Sequence, residues 1–389
     1  MAKPKLIRIT TVPASLGGLL EGQLKFMTQY YDVVGIASSR NGGLTKVGKK
    51  ENIRVIPVQM TRKITPVQDF KAVWQLYKIF KREKPFMVHT HTPKAGTLGM
   101  MAAYLAKVPH RLHTVAGMPL LVAKGRKRKL LDLVEKITYW CATKVYPNSF
   151  GLKDIILENN FTTEKKLKVI GNGSSNGIDT EHFNNKLYSK EDKLNLRNSL
   201  GIKESDFVFL YVGRVVKDKG VNELIEAFKL LTKKGVENCK LVLLGTFEDE
   251  LDPISPEARE EIDFNPNIIY MGWQSDVRPY FSISDVFVFP SYREGFPNVV
   301  MQAGAMGIPS IVTNINGCNE IIIPNQNGVI IPVQDAQSLF ESMKLFYENH
   351  FCQDPKFDYD PEKIRKLIVE GYNRKVIWEA IRKEYDSLN

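Results

Sequence analysis

The apolar run Val286-Phe-Val-Phe-Pro290 leads into Ser291-Tyr-Arg-Glu-Gly-Phe-Pro-Asn-Val-Val-Met-Gln302. The run reads as a buried parallel strand. Gly295 permits a sharp turn, and Pro297 suits the first position of a helix. Val299, Val300, Ala303 and Met306 then recur at helical spacing. The order is strand, acidic turn, helix. In an open α/β sheet such a turn lies at the carboxyl end of a strand, where ligands bind. Amides at the start of the helix would face an anion. Glu294 stands just before them, and two readings of it stay open. It grips hydroxyls of a ligand, or it is an ordinary carboxylate favoured by the helix dipole.

The same alternation extends in both directions. Towards the amino end, residues 5–12, 32–39, 54–58, 86–90 and 111–115 read as strands. Ala14-Ser-Leu-Gly17-Gly18 follows the first as a loop whose glycines let backbone approach a ligand, with a helix from about Leu19. Val67, Phe70, Trp74, Tyr77 and Phe80 mark the apolar stripe of a helix with Lys and Arg opposite. Further strands are expected at Thr143–Tyr146 and Lys166–Ile170. Gly171-Asn-Gly-Ser-Ser-Asn-Gly177 reads as a flexible junction between two domains. Its glycine spacing is wrong for a dinucleotide fingerprint, and no clear helix follows.

Beyond the junction, strands are expected at 207–212, 241–244, 268–271, 286–290, 309–313 and 329–331. Helices follow at about 335–348 and 361–387, the last interrupted near Gly371. The acidic loop containing Glu248, Asp249, Glu250 and Asp252 reads as solvated. Two Rossmann-like halves of similar size result, 1–172 and 173–371, with a cleft expected between them.

A chain of 389 residues suits two or three domains. Hydrophobic content of 43% and charged content of 25% belong to a globular protein. No apolar run approaches the ~18 residues that span a bilayer. Cys141, Cys239, Cys318 and Cys352 share no metal-type spacing and suit packing in a reducing cytoplasm. The net charge of +11 points to an anionic partner: nucleic acid, a phosphate-bearing substrate or a membrane surface. No zinc-finger spacing or aromatic-basic RNA-binding pattern supports nucleic acid. Lys124-Gly-Arg-Lys-Arg-Lys129 precedes Leu130, Leu131, Leu133, Val134 and Ile137. It is either the solvated start of a surface helix or a basic amphipathic segment for anionic lipid.

Gly213-Arg214 and Lys219-Gly220, taken with Glu294-Gly-Phe-Pro-Asn298, resemble the retaining GT-B glycosyltransferases of family 4. Val88-His-Thr-His-Thr-Pro-Lys-Ala-Gly96 and His113-Thr-Val-Ala-Gly117 resemble its bacterial branch, which extends lipid-linked or surface polysaccharides. The resemblance implies two Rossmann-like domains with a last helix, 372–389, crossing back to complete the first. It implies a nucleotide-sugar donor, retention of configuration, and no metal or cofactor.

The resemblance also assigns roles. Arg214 and Lys219 hold the departing diphosphate, one bidentately and one as a compact charge. Asn298 and Val299 add helix-terminal amides, within a donor site that includes Gly295 and Phe296. Glu294 binds sugar hydroxyls. Gln302 stands where the family commonly has the second of two glutamates separated by seven residues, which holds the ribose. His113 orients a hydroxyl near the reacting sugar, and Gly17 and Gly18 approach the diphosphate or acceptor. Lys94, Arg126, Lys127, Arg128 and Lys129 are expected on the acceptor or membrane side. The expected donor is a UDP-linked hexose or N-acetylhexosamine. The expected acceptor is lipid-linked, at the inner face of the plasma membrane.

Two rival readings exist. His89, His91 and His113 could hold zinc for a hydrolase or lyase. Alternatively, the charge alone could mark a non-catalytic anion-binding protein.

Overall fold

The computed structural model describes residues 3–39, 41–61, 65–250, 252–352 and 359–388. The chain divides into two compact units, 1–177 with 374–389, and 178–373.

In the first unit the strands are β1 (Lys5–Ile9), β2 (Asp32–Ala37), β3 (Arg54–Pro57), β4 (Met87–Thr90), β5 (His110–Val115) and β6 (Lys144–Pro147). Its helices are α1 (Pro13–Leu19), α2 (Gln23–Met27), α3 (Gly43–Glu51), α4 (Pro66–Glu83), α5 (Pro93–Leu105), α6 (Gly125–Cys141) and α7 (Phe150–Glu158). The second unit holds α8 (Lys190–Ser199), β7 (Phe207–Val212), α9 (Val221–Lys233), β8 (Cys239–Leu244), α10 (Pro256–Phe264), β9 (Ile268–Gly272) and α11 (Arg278–Ser282). It continues with β10 (Val286–Phe289), α12 (Asn298–Ala305), β11 (Ser310–Thr313), α13 (Cys318–Ile321), β12 (Gly328–Ile331), α14 (Ala336–Cys352) and α15 (Pro361–Tyr372). Asn373 then breaks the helix, and α16 (Arg374–Asp386) belongs to the first unit.

The two sheets share one topology. Their orders are β3-β2-β1-β4-β5-β6 and β12-β11-β10-β7-β8-β9, with all neighbours parallel. The strand order reverses at β1/β4 in one and at β7/β10 in the other. Ligands bind at such points in doubly wound sheets. Strands buried on both faces need continuous apolar runs, and Phe207-Val-Phe-Leu-Tyr-Val212 is buried throughout.

Helices cover both faces of the first sheet. Ile7, Val34 and Val88 pack under α4 and α5. Leu6, Val33 and Met87 pack on the other face with Ile377, Ile381 and Tyr385 of α16. The α16 side is tied down by polar contacts too. Trp378 Nε1 donates to Asn176 Oδ1 at 2.7 Å, and Gln23 Nε2 donates to the same oxygen at 3.0 Å. The glycine-rich junction is therefore pinned in part, because Asn176 is buried.

Three local readings change. Lys166–Ile170 is not a strand; it pairs with the sheet through an isolated bridge from Leu167 to Val145. Gly17 and Gly18 lie inside α1 rather than in a loop, because Pro13 already starts the helix shortly after β1. The buried face of α4 is Ala72, Val73, Leu76, Ile79 and Phe80. Val67, Phe70 and Trp74 face outward. The helix carries two apolar faces, and the sheet covers only one.

Candidate functional site

β7 leaves the second sheet as Gly213-Arg214, followed by a single turn over Lys217–Lys219. β10 leaves beside it as Pro290-Ser291, since Val286 pairs with Phe209 and Phe287 with Leu210. Gly220 lets the two exits touch. Its φ is +70°, and a Cβ there would stand 2.0 Å from the Pro290 carbonyl oxygen. No other residue fits without moving backbone. The Tyr292 amide donates to the Asp218 carbonyl at 2.9 Å, and the Thr313 hydroxyl donates to the Ser291 carbonyl.

This geometry brings Lys219 to Glu294. The ammonium donates to Glu294 Oε1, and Ser291 Oγ donates to the same oxygen at 3.0 Å. Their side chains keep only 15% and 18% exposure, so the pair is screened less than a surface pair. Lys219 also stands 5.9 Å above the Phe289 ring. Arg214 is more open, at 43%. Its guanidinium bonds Glu248 at 2.6 Å and lies 3.7 Å from Asp218, which also receives Arg293 at 2.8 Å. Burial works to lower the Arg214 pKa, but Glu248 and Asp218 carry it above its ordinary value. Tyr211 donates to the Arg214 carbonyl at 2.6 Å and fixes the backbone where the arginine leaves the strand.

Pro297 is the cap of α12 rather than its first residue; the helix opens at Asn298. The amides of Asn298 and Val299 lie in the first turn, where no intrahelical acceptor reaches them. Gly317 closes on this turn from β11's side. A Cβ on it would meet the Gly295 carbonyl oxygen and Phe296 Cα, both at 2.7 Å. The Phe296 side chain is buried against Tyr372, ring centroids 5.4 Å apart, so it supports the turn and leaves only its backbone for a ligand. Gln302 is half-buried one face along α12. Two cations and a helix start can thus hold a diphosphate, and the adjoining carboxylate can accept hydroxyls.

The first unit places its residues differently. His113 is buried on β5, with Nδ1 2.8 Å from Thr90 Oγ1. Burial pushes its pKa down to about 4, so the ring is neutral at pH 7. Gly96 makes room for it: a Cβ there would lie 2.3 Å from His113 Cε1. Gly17 serves packing of α1 on α3, since a Cβ would meet Val47 Cγ2 at 2.9 Å, whereas Gly18 faces open space. Lys94 is mostly covered and paired with Asp69. Arg128 turns inward to Asp132 and to Asn159 Oδ1, at 2.6 and 2.8 Å. Arg126, Lys127 and Lys129 are exposed.

The zinc reading fails on register. Thr90 pairs with His113, and His89 pairs with Leu112. Alternation along β4 therefore sends His89 and His91 to the face away from His113. His89 is occupied by Tyr385 and by Thr114 at 2.7 Å, and His91 Nε2 accepts from Arg8 Nε at 2.9 Å.

Sequence reasoning did not find Asp218, Glu248, Ser291 or Gly317. The acidic loop read as solvated supplies Glu248 to Arg214, and Asp252 Oδ2 to the Asp218 amide at 2.7 Å. Its position just after the end of β8 is the signal the sequence offers.

Comparison with known proteins gives a consistent answer. The family described as "Glycosyl transferases group 1" matches residues 192–363, and "Glycosyl transferase 4-like" matches residues 22–149. The capsular polysaccharide biosynthesis glycosyltransferase CapM of Staphylococcus aureus is 35% identical, covering 100% of this chain and 98% of that protein. An Escherichia coli UDP-Gal:alpha-D-GlcNAc-diphosphoundecaprenol alpha-1,3-galactosyltransferase is 30% identical over 81% of this chain and 78% of its own length. The crystal structure of Anabaena Alr3699/HepE in complex with UDP shares the fold, with a TM-score of 0.80 at 17% identity, covering 98% of this chain and 100% of that one. With the cation pair, the carboxylate and the helix start gathered at the switch point of the second sheet, the chain belongs to the group 1, family 4 glycosyltransferases, retaining GT-B enzymes that use nucleotide sugars.

Proposed function

We propose that this enzyme transfers a hexose or N-acetylhexosamine from a UDP-sugar to a polyprenyl-diphosphate-linked acceptor during polysaccharide assembly. The Lys219–Glu294 pair beside Arg214 carries the reading. Two related proteins with diphosphoundecaprenol in their names, one of them also with UDP-Gal, support its finer part.

As the sugar–phosphate bond breaks, negative charge grows on the departing diphosphate. Arg214, Lys219 and the first amides of α12 stabilise that charge. Lys219 exchanges Glu294 for phosphate, and the freed carboxylate accepts sugar hydroxyls. Gln302 holds the ribose through a neutral hydrogen bond. Neutral His113 orients a hydroxyl and is not charged at the working pH. No second carboxylate is assigned as a nucleophile. Attack comes from the face of the leaving group, whose phosphate oxygen takes the acceptor proton. The enzyme works at the inner face of the membrane, where the acceptor lies; no helix among the described residues is long and apolar enough to cross it.

The test is a panel of UDP-sugars with a synthetic polyprenyl-diphosphate glycan, read by mass spectrometry. Addition of one hexose or N-acetylhexosamine with retained anomeric configuration is expected. Donor hydrolysis without transfer to any lipid-linked acceptor overturns the acceptor assignment.

A further inference from the structure

The outer surface of α4 and α6 has a composition that the catalytic reading does not use. On α4, Phe70 is 73% exposed and Trp74 52%, and Val67 is exposed beside them. On α6, Leu133 is 54% exposed and Trp140 62%, with Leu130 and Ile137 exposed on the same face. Their spacings, 67-70-74 and 130-133-137-140, each hold one side of a helix. These are large apolar side chains left in water.

Topology puts both stripes on one surface. The connections β3–α4–β4, β4–α5–β5 and β5–α6–β6 all advance in one direction along the sheet. Right-handed crossovers then place all three helices on one face. α5 packs against both α4 and α6 and lies between them. It joins the patch at its carboxyl end, where Tyr104 meets Trp140 with ring centroids 4.7 Å apart.

Charge on this surface has one sign. Lys71, Lys78, Lys81 and Arg82 of α4, and Arg126, Lys127, Lys129 and Lys136 of α6, are all exposed. The carboxylates of the two helices are drawn inward. Asp69 pairs with Lys94, Glu83 with Lys5 and Arg54, and Asp132 with Arg128, while Glu135 is half-buried. Aromatic and aliphatic side chains ringed by lysine and arginine suit the boundary between headgroups and acyl chains of an anionic bilayer. A second copy fits poorly, because a two-fold contact would set these cations against themselves.

We propose that the outward faces of α4 and α6 form one docking surface for anionic lipid, with Phe70, Trp74, Leu133 and Trp140 as the inserted anchors. The inference deepens the lipid-linked acceptor reading by naming where the enzyme meets the bilayer.

The test uses the full chain with vesicles of phosphatidylcholine alone or mixed with phosphatidylglycerol. The variants are Phe70→Ser with Trp74→Ser, and Leu133→Ser with Trp140→Ser, with melting curves to confirm folding. Binding to the mixed vesicles should weaken roughly tenfold or more in each, and wild type should bind neutral vesicles far less. Brominated acyl chains should quench wild-type tryptophan fluorescence. A Trp74→Phe, Trp140→Phe protein should bind vesicles but lose that quenching. Unchanged affinity in both serine variants, or no quenching in the wild type, overturns the proposal. So does a wild-type dimer that the serine variants dissociate while vesicle binding stays the same. Turnover on a water-soluble acceptor analogue should be kept in the serine variants. Its loss in the wild type itself would count against the acceptor assignment and not against the docking surface.

Discussion

Lys219 and Glu294 lie 75 positions apart in sequence, yet the ammonium of one donates to the carboxylate of the other. Ser291 holds the same oxygen, and Gly220 holds the two strand exits together. In the proposed function the pair supplies a phosphate cation and a hydroxyl acceptor. On that proposal a diphosphate competes with a carboxylate for Lys219.

That competition can be measured. Lys219→Ala should lower kcat/KM about 100-fold, the scale of removing one donor to a developing anion. Glu294→Ala should lower turnover as well as donor affinity, because sugar hydroxyls move during transfer. Adding Glu294→Ala to Lys219→Ala should cost much less than it does alone, since the residues act together. Steady-state kinetics with donor varied provide the cycle. Independent, additive losses would show that the two residues do not act as a pair.

Gln302 should behave differently. Gln302→Ala should weaken nucleotide binding by roughly 0.5–1.5 kcal/mol, the net of one neutral hydrogen bond, and leave kcat nearly unchanged. Gln302→Glu should bind donor at least as tightly as wild type, through a charge-assisted bond. Calorimetry with UDP alone is the measurement. Tighter binding in the alanine variant would remove Gln302 from the ribose.

Gly96→Ala is a small change with a large expected effect. The new methyl would stand 2.3 Å from His113 Cε1, so the ring or α5 must shift. Overpacking of this kind costs about 1–3 kcal/mol. Thermal melting should fall accordingly. Turnover should fall with it, while UDP affinity, which the proposed function assigns to the second unit, should stay as it was.

Acid should destabilise the first unit. His113 has its pKa lowered from 6.5 to about 4 by burial, and burial holds His89 and His91 well below 6.5 as well. The unfolded chain therefore binds more protons than the folded one in that window. Stability is fully present above pH 6.5 and is lost as pH falls towards 4. For His113 the gap corresponds to about 3 kcal/mol. His113→Asn should flatten the fall of melting temperature between pH 6.5 and 4. An unchanged slope would mean that the ring is not held neutral.

By itself the sequence determined the two α/β series, because buried parallel strands must be short apolar runs and their exits must carry turn residues. Phe207–Val212 and Val286–Phe289 are legible for that reason, and so are Gly213-Arg214 and Glu294-Gly295 at their ends. Strand partners are not written in local pattern. Only the β7/β10 register brings Lys219 to Glu294, and only the β4/β5 register separates His113 from His89 and His91. The face of α4 that is buried was also decided in three dimensions. Both of its faces are apolar, and a hydrophobic pattern cannot say which one the sheet will cover. Gly17 and Gly96 follow the same logic: a missing side chain has no pattern of its own, and its reason is the neighbour that fills the space.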